Sequence, residues 1–342
     1  MLACSMSYAP NANSVVQLVS ICIPTYQGAP WIGETIRSAL GQTYPRIEVL
    51  VVDDASTDDT AEIVRSVGDE RVHLVVNGSN LGLVANWDRC LLLARGEYIK
   101  FLFQDDLLEP DCVERMIDVM TRSPHVGLVF SRRRILAEAP DDPRVVRWLR
   151  KNATLDERFG PLAEVNDGRE LFERAAKRDF RANWVGEPTC VMVRAAAFER
   201  VGGFNVRMVQ AVDWEMWLRL MFHFDVGFIA APLATFRLHA RSMSSQNMKR
   251  RAYWMDLLWL FEGLREHPEI RAAHPELGRV GLTHAARAVT KQVRRILTGH
   301  RRAIASPGSG IVPYMRHRLS RRDSSDRLHA PIRRAEATQP AS

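Results

Sequence analysis

Apolar and polar residues follow two alternating periods through the first 130 residues of the chain. Four short apolar runs predict buried strands: LVSICI from Leu18, IEVLVV from Ile47, VHLVV from Val72 and YIKFLF from Tyr98. Three stretches between these runs predict helices: 31–41, 60–66 and 86–94. The order β-α-β-α-β-α-β predicts an α/β fold with a mostly parallel central sheet flanked by helices.

The pattern is less regular beyond residue 130. Residues 138–168 are rich in charge, Pro and Gly, and they predict a long surface excursion. Helix-like and strand-like stretches then follow: 170–178, 190–194, 195–201, 213–222, 227–230 and 234–238. Residues 250–299 have a helical period with one apolar face, and from Ser306 onward Pro, Gly, Ser and Arg dominate.

These changes of pattern divide the chain. A length of 342 residues is enough for one large domain with appendages. We predict four parts: a flexible leader over 1–17, one folded domain over 18–245 with halves 18–130 and 131–245, helices over 246–300, and a basic, disordered tail over 301–342.

The distribution of charge excludes one class of function. The chain has 47 Lys and Arg against 40 Asp and Glu, a net charge of +7. Residues 279–342 hold 14 basic and 3 acidic residues, whereas residues 1–278 hold 33 basic and 37 acidic ones. The body is therefore slightly acidic, and we expect no nucleic-acid partner.

The cysteines and the hydropathy of the chain indicate its compartment. The five cysteines are far apart and form no CxxC pair, so neither a disulfide framework nor a zinc site is expected. The first twenty residues have no charge and no long apolar core, which is unlike a signal peptide. No apolar run is long enough to span a membrane. We therefore expect a cytoplasmic protein.

Polar side chains follow three of the predicted strands. Thr25 and Tyr26 come after the first strand, Asp53-Asp54 after the second and Asp105-Asp106 after the fourth. Ligands of such sheets bind outside the carboxyl ends of the strands. We therefore expect a ligand site at this edge of the sheet.

The acidic pairs allow more than one role. Adjacent aspartates after an apolar strand are costly without a cation, and Mg²⁺ or Mn²⁺ accepts carboxylate oxygen. Asp105-Asp106 could equally cap the helix that starts near Pro110, and Asp53-Asp54 could cap the helix at 60–66. Taken alone, Asp213 could be a general base or a plain helix cap, and His239 an ordinary core or surface histidine.

Six blocks in order resemble the family 2 inverting glycosyltransferases, which have the GT-A fold. They are VSICIPTYQGAPWIGETIRSALGQTYPRIEVLVVDDASTDDT from Val19, NLGLVAN from Asn80, GEYIKFLFQDDLLEPDCVERM from Gly96, GEPTCVMVRAAAFERVGGFN from Gly186, VDWEMWLRL from Val212 and FRLHARSMS from Phe236. The resemblance covers about residues 18–245. It implies that 18–130 is the donor-nucleotide half and 131–245 the acceptor half.

The resemblance also implies a role for individual residues. The donor nucleotide would be bound by six of them: Pro24, Thr25, Tyr26, Asp53, Asp54 and Asp105. Asp106 would hold Mg²⁺ or Mn²⁺, His239 would reach the diphosphate or the metal, and Asp213 would be the catalytic base. Phe103 and Val212 depart from the family pattern, since acidic residues are common at both positions.

The implied reaction is transfer of a sugar, with inversion, from a UDP-, GDP- or dTDP-sugar to a hydroxyl group of a glycan or lipid-linked acceptor. One alternative is a protein that binds sugar nucleotides without turnover. Another is a nucleotidyltransferase, which would need a glycine-rich basic loop where Pro24-Thr25-Tyr26-Gln27 stands. The apolar stripe and arginines over 279–302 would either lie on an anionic membrane or pack on the catalytic domain.

Overall fold

The structure is a computed structural model that describes residues 17–180, 182–242, 255–281, 283–284, 290, 328–329 and 331–332. Residues 1–16 of the predicted leader, the apolar stripe predicted within 279–302 and most of the predicted tail lie outside these ranges. Within them, none of the helices combines the length and the hydrophobicity that crossing a bilayer requires.

One sheet forms the centre of the described structure. Its strands are β1 (Val19–Thr25), β2 (Ile47–Asp53), β3 (Val72–Val76), β4 (Tyr98–Phe101), β5 (Leu107–Leu108), β6 (Val126–Ala137), β7 (Val165–Asn166), β8 (Val191–Arg194) and β9 (Asp225–Leu238). They lie in the order β3-β2-β1-β4-β8-β6-β9-β5, and β7 pairs with β9.

Ten helices surround this sheet in the described ranges. They are α1 (Ile32–Leu40), α2 (Thr60–Ser66), α3 (Leu83–Leu93), α4 (Cys112–Arg122), α5 (Pro143–Asn152), α6 (Gly168–Ala176), α7 (Ala195–Val201), α8 (Val212–His223), α9 (Asp256–Glu266) and α10 (Pro268–Ala273). Two 3-10 helices span Asp156–Phe159 and Pro188–Cys190.

The predicted α/β fold is confirmed. Strands β3, β2, β1 and β4 are parallel, as are β6 and β9, whereas β8 runs antiparallel between β4 and β6. Both β1 and β2 are buried along their whole length, which explains their continuous apolar runs. The carboxyl ends of β1, β2 and β4 therefore meet at one edge, where the polar clusters were expected.

Two predictions for the second half differ from the structure. The predicted surface excursion over 138–168 contains regular structure, namely α5, a 3-10 helix and β7. Its polar composition includes that of α5, which buries none of its residues. The two strands predicted over 227–230 and 234–238 form the single strand β9. The register shifts between Ile229 and Pro232, and this bulge allows the strand to continue past a residue without an N–H donor.

A short segment of the predicted tail packs against the domain. Leu328 and Ile332 are buried, and His329 forms an antiparallel bridge with Asn205. The disorder predicted for 301–342 therefore does not extend to this segment. The segment packs there because burying its apolar side chains, Leu328 and Ile332, is favourable, and the polar residues around them in the sequence have no such side chains to bury.

Candidate active site

Gln104, in the loop after β4, binds the loop after β1. Its side-chain oxygen accepts hydrogen bonds from the Thr25 hydroxyl at 2.6 Å and from the Tyr26 N–H at 2.8 Å. Its amide nitrogen donates to the Tyr26 carbonyl oxygen at 3.2 Å. Pro24 is buried within β1, whereas Tyr26 is 44% exposed. The ring of Tyr26 is thus available to a ligand at the end of the sheet.

The two aspartates at the end of β2 hold the neighbouring loops. Asp53 accepts hydrogen bonds from the hydroxyl and the N–H of Ser56. Asp54 accepts from the Asn77 side-chain amide at 2.9 Å and from the N–H groups of Leu81 and Gly82 at 2.7 and 2.9 Å. Both carboxylates are buried. Asp54 ties the loop after β3 to the end of β2, and neither residue caps α2 by a side-chain hydrogen bond.

Asp105 and His239 lie side by side at the ends of β4 and β9. The Asp105 carboxylate is 2.7 Å from Nε2 of His239, and its side chain is 16% exposed. The imidazole packs on Trp31, with ring centroids 4.2 Å apart. Residues 134 positions apart in the chain are thus joined. This separation is why the pair was not identifiable from local sequence.

Asp106 is fully buried. Its two oxygens accept hydrogen bonds from the Thr189 hydroxyl at 2.6 Å and from the Arg237 N–H at 2.9 Å. Burial, and next the negative charge of Asp105, raise the pKa of Asp106 well above its ordinary value. The resemblance assigns the metal to Asp106 and the donor to Asp105; in the structure Asp105 contacts His239, whereas Asp106 contacts Thr189 and Arg237.

Thr189 connects Asp106 to the strands. Its hydroxyl oxygen accepts a hydrogen bond from the Phe103 N–H at 3.2 Å, and its carbonyl oxygen accepts one from Nζ of Lys100. Lys100 also donates to the Val191 carbonyl oxygen at 3.3 Å. It is fully buried, and burial lowers its pKa. Through Thr189, Asp106 is thus linked to the 3-10 helix over Pro188–Cys190.

Asp213 lies in the first turn of α8, and its environment differs from that of Asp105 and Asp106. Its carboxylate accepts hydrogen bonds from the Trp214 N–H at 2.7 Å and from the Asn183 amide at 3.1 Å. Burial, followed by the negative charge of Glu187, raises the pKa of Asp213 to about 7. A carboxylate with this pKa can accept a proton near neutral pH.

The loop over 183–187 surrounds Asp213 and was not identified from the sequence. Asn183 accepts hydrogen bonds from the N–H groups of Val185 and Gly186, both at 2.9 Å, which fixes the amide that contacts Asp213. Gly186 has a φ of +118°, a conformation that favours glycine. Glu187 pairs with the nearly buried Arg133 at 2.6 Å. A lone Asn and a charged pair 54 residues apart give no recognisable sequence signal.

The Asp105 carboxylate and the His239 imidazole are candidate ligands of a metal ion. No group of three or more His, Cys, Asp or Glu side chains in the described ranges is arranged to hold an ion. The Asp105–His239 pair offers one oxygen donor and one nitrogen donor, a set that Mn²⁺ accepts. Mg²⁺ and similar ions commonly take one or two protein ligands and complete their shell with substrate phosphates and water. The pair therefore fits a metal shared with a diphosphate.

The profile of glycosyl transferase family 2 matches residues 20–202, which is more than half of the chain. The chain belongs to glycosyl transferase family 2. The resemblance inferred from the six sequence blocks is thereby confirmed. The match ends before α8, so it does not include Asp213 or His239.

The relatives of this glycosyltransferase differ in how much of their length it covers. An uncharacterized protein of Mycobacterium tuberculosis, MT1568, is 33% identical over 267 residues, which are 77% of this chain and 82% of that protein. An uncharacterized glycosyltransferase of Rickettsia conorii is 25% identical over 248 residues, but the chain spans only 38% of its length. The Escherichia coli glucosyltransferase WfaP, named for an α-D-GlcNAc-diphosphoundecaprenol acceptor, is 41% identical over 91 residues, 27% of this chain and 36% of that protein.

Two solved structures have the same fold. TarS 1–349 of S. aureus in complex with UDP-GlcNAc has a TM-score of 0.57 and 17% identity, over 72% of this chain and 66% of that one. The mannosyltransferase PcManGT of Pyrobaculum calidifontis, in complex with GDP-Man and Mn²⁺, has a TM-score of 0.52 and 20% identity. The second comparison covers 87% of this chain and 84% of that one. At these identities the likeness establishes the GT-A fold.

Proposed function

We propose that the protein transfers a sugar from a nucleotide-diphospho-sugar to an acceptor hydroxyl group with inversion at the anomeric carbon. The observation that carries the proposal is Asp213, a carboxylate in the first turn of α8 whose pKa is raised to about 7. Asp213 removes the hydroxyl proton as the acceptor oxygen attacks the sugar. Asn183 supports this role by orienting one carboxylate oxygen without neutralising the charge.

Asp105 and His239 would hold the divalent ion in this proposal, in place of Asp106. A bound Mg²⁺ or Mn²⁺ would stabilise the negative charge that develops on the departing nucleoside diphosphate. Asp106 acts through the framework, because its oxygens are committed to Thr189 and Arg237. Arg237 also donates from Nε to the Asp105 carbonyl oxygen at 2.9 Å, which steadies the loop that carries both aspartates.

The donor nucleotide would lie at the ends of β1 and β2. Tyr26 offers its exposed ring to the base, and Pro24 and Thr25 shape the strand end beneath it. Asp53 and Asp54 act by holding the loops that enclose the nucleotide. The GDP-Man and UDP-GlcNAc of the two structural neighbours make UDP-, GDP- and dTDP-sugars the donors to test first.

A glycan or a lipid-linked molecule is the proposed acceptor. The relative WfaP is named for a diphosphoundecaprenol-linked acceptor, which supports the lipid-linked class.

We further propose a cytoplasmic protein that contacts the membrane surface through residues 279–342, where 14 basic residues accompany 3 acidic ones. Co-sedimentation with anionic vesicles, compared for the full chain and a full-length variant carrying Arg287→Gln, Lys291→Gln, Arg294→Gln and Arg295→Gln, tests this contact. Equal sedimentation would contradict it.

A donor screen tests the reaction. The full chain is incubated with UDP-, GDP- and dTDP-sugars, Mn²⁺ and a panel of glycan and lipid-linked acceptors, and the released nucleoside diphosphate is measured. NMR of the product then gives the anomeric configuration. We expect release from one donor class and an inverted product, and retention of configuration would contradict the single displacement. Release of pyrophosphate in a separate incubation with a nucleoside triphosphate and a sugar 1-phosphate would instead indicate a nucleotidyltransferase, and binding of a nucleotide-sugar without release would indicate a non-catalytic protein.

Asp213→Asn is the decisive variant, with Asp225→Asn as its matched control. Asp225 begins β9, whereas His239 follows the other end of that strand, so the control lies away from the proposed site. We expect Asp213→Asn to lower kcat by about 10³-fold while nucleotide affinity stays within twofold, because only proton transfer is removed. Asp225→Asn should keep its kcat. Wild-type turnover in Asp213→Asn would contradict the assignment of the base.

A further inference from the structure

The turn that precedes α8 has no cap of its own. The N-cap position is Ala211, whose side chain accepts no hydrogen bond, and the first helical hydrogen bond runs from the Glu215 N–H to the Ala211 carbonyl oxygen at 3.1 Å. A helix normally begins with a side chain that accepts hydrogen bonds from backbone N–H groups. The start of α8, and with it Asp213, therefore depends on an acceptor from elsewhere in the chain.

Asp256, the first residue of α9, supplies this acceptor. Its carboxylate accepts hydrogen bonds from three successive backbone N–H groups: Val209 at 3.2 Å, Gln210 at 2.6 Å and Ala211 at 2.8 Å. The side chain is 3% exposed. Burial raises the pKa of Asp256 to about 6, against the effect of these three donors, so the carboxylate is ionised at pH 8. An ionised acceptor beside the positive end of a helix dipole also stabilises that helix.

A second contact from the C-terminal part of the chain reaches the same helix. Glu215, one half-turn after Asp213, is fully buried and forms an ion pair with Arg219 at 2.9 Å. Nε2 of His329 lies 3.0 Å from the other Glu215 oxygen. Leu328 and Ile332 are buried on either side of His329. Two residues beyond position 245 thus contact the start of α8: Asp256 binds the turn that precedes it, and His329 binds Glu215 in its first turn.

We infer that the C-terminal part of the chain positions the catalytic base, with Asp256 as the positioning residue. Its carboxylate fixes the turn over 209–211, from which α8 begins, and so sets where the Asp213 carboxylate lies. This inference rests on the proposed function, in which Asp213 is the base. The helix α9 then contributes to catalysis by positioning Asp213, although it lies outside the matched family region.

Two variants at Asp256 and one control on the same helix test the inference. Asp256→Ala removes all three acceptor contacts, whereas Asp256→Asn retains an oxygen for the N–H groups of Gln210 and Ala211. The control is Glu262→Ala, which removes an equally buried carboxylate that is paired with Arg265 at 2.7 Å. All three are made in the full chain, and their thermal midpoints are measured first. The control thereby shows what loss of stability alone does to turnover.

The first measurement is kcat and donor KM at pH 8. We expect Asp256→Ala to lower kcat at least about tenfold with donor KM within twofold, because a small displacement of a catalytic group is costly. Asp256→Asn should lie between Asp256→Ala and the wild type, and Glu262→Ala should keep kcat within twofold. Equal losses of kcat in Asp256→Ala and Glu262→Ala would overturn the inference, since they would indicate a general loss of structure.

The second measurement is amide hydrogen exchange of the peptide over 205–216, which does not depend on activity. We expect faster exchange in Asp256→Ala and wild-type exchange in Glu262→Ala. If the wild type transfers no sugar from any donor, the proposed function fails and this second measurement decides alone. Unchanged exchange in Asp256→Ala would then refute the role of Asp256. Faster exchange would leave Asp256 as the residue that holds the start of α8.

Discussion

The loop after β2 and the start of α8 each contain a carboxylate, and the two have different surroundings. Asp54 accepts hydrogen bonds from two backbone N–H groups and one side-chain amide, all from the loop after β3. Asp213 accepts from one N–H and one amide, and the negative charge of Glu187 lies nearby. The donors around Asp54 tie one loop to another, whereas burial and the negative charge of Glu187 raise the pKa of Asp213.

The largest expected effect concerns the stability that Asp54 provides. Asp54→Ala leaves the N–H groups of Leu81 and Gly82 without their acceptor, so we expect the free energy of unfolding to fall by about 3 kcal/mol. Urea unfolding monitored by tryptophan fluorescence measures this change. Asp213→Asn should show no such loss at pH 8. A loss below about 0.5 kcal/mol in Asp54→Ala would remove the distinction between the two carboxylates.

The next effect separates Asp105 from Asp106. Asp105→Asn should weaken nucleotide binding in the presence of Mn²⁺ by about tenfold or more, because one of the two proposed protein ligands is removed. Asp106→Asn should keep the dependence on Mn²⁺ and lose thermal stability, because its contacts are with Thr189 and Arg237. Calorimetric titration with and without Mn²⁺ checks both. The reverse outcome would restore the metal to Asp106.

The third effect is the pH dependence of turnover. Since the pKa of Asp213 is about 7, kcat should rise about tenfold per pH unit below pH 7 and level off above it. Glu187→Gln removes the nearby negative charge and should move the midpoint to lower pH. The pH profiles of the two proteins, measured at saturating donor, test this. An identical midpoint in Glu187→Gln would exclude its charge as a cause of the raised pKa.

The smallest effect is the dependence of stability on pH. The pKa of Asp213 is raised from 3.8 to about 7, so the folded protein binds this proton more tightly than the unfolded chain. Its contribution to stability is therefore full below about pH 4 and is lost as the pH rises through 7. Asp213→Asn should thus be more stable than the wild type at pH 8 and equal to it at pH 4. Thermal unfolding at both values is the measurement.

The first half of the fold was predictable because its signals are local. The bounds predicted for α2 and β3 agree with the structure, since short apolar runs and their flanking polar residues specify each element independently. The second half was less predictable, because β9 continues through a bulge at Pro232 and α5 buries none of its residues. At Pro232 the tertiary environment outweighs the local pattern, whereas α5 begins with a local signal, since Asp142 accepts a hydrogen bond from the Arg144 N–H and Pro143 is the first helical residue.

The candidate site was predictable at the level of its strand ends, but the roles of neighbouring residues were not. β4 ends at Phe101, before the predicted end at Phe103, so the alternation of a strand does not extend to Asp105 and Asp106. The turn after β4 decides whether Asp105 or Asp106 faces His239. Asn183 and Glu187 gave no signal, because a single polar residue in a loop has many possible partners.

The sequence by itself determined the order of strands and helices in the first half, the family and the edge of the sheet where the polar residues gather. These properties follow from hydrophobic periodicity and from motifs in which each residue is near the next in the chain. Only the tertiary structure decided that Asp105 pairs with His239, that Asp106 is buried, and that Asp256 holds the turn before Asp213. The physical reason is distance along the chain, since these partners are brought together only when the sheet and its surrounding helices have packed.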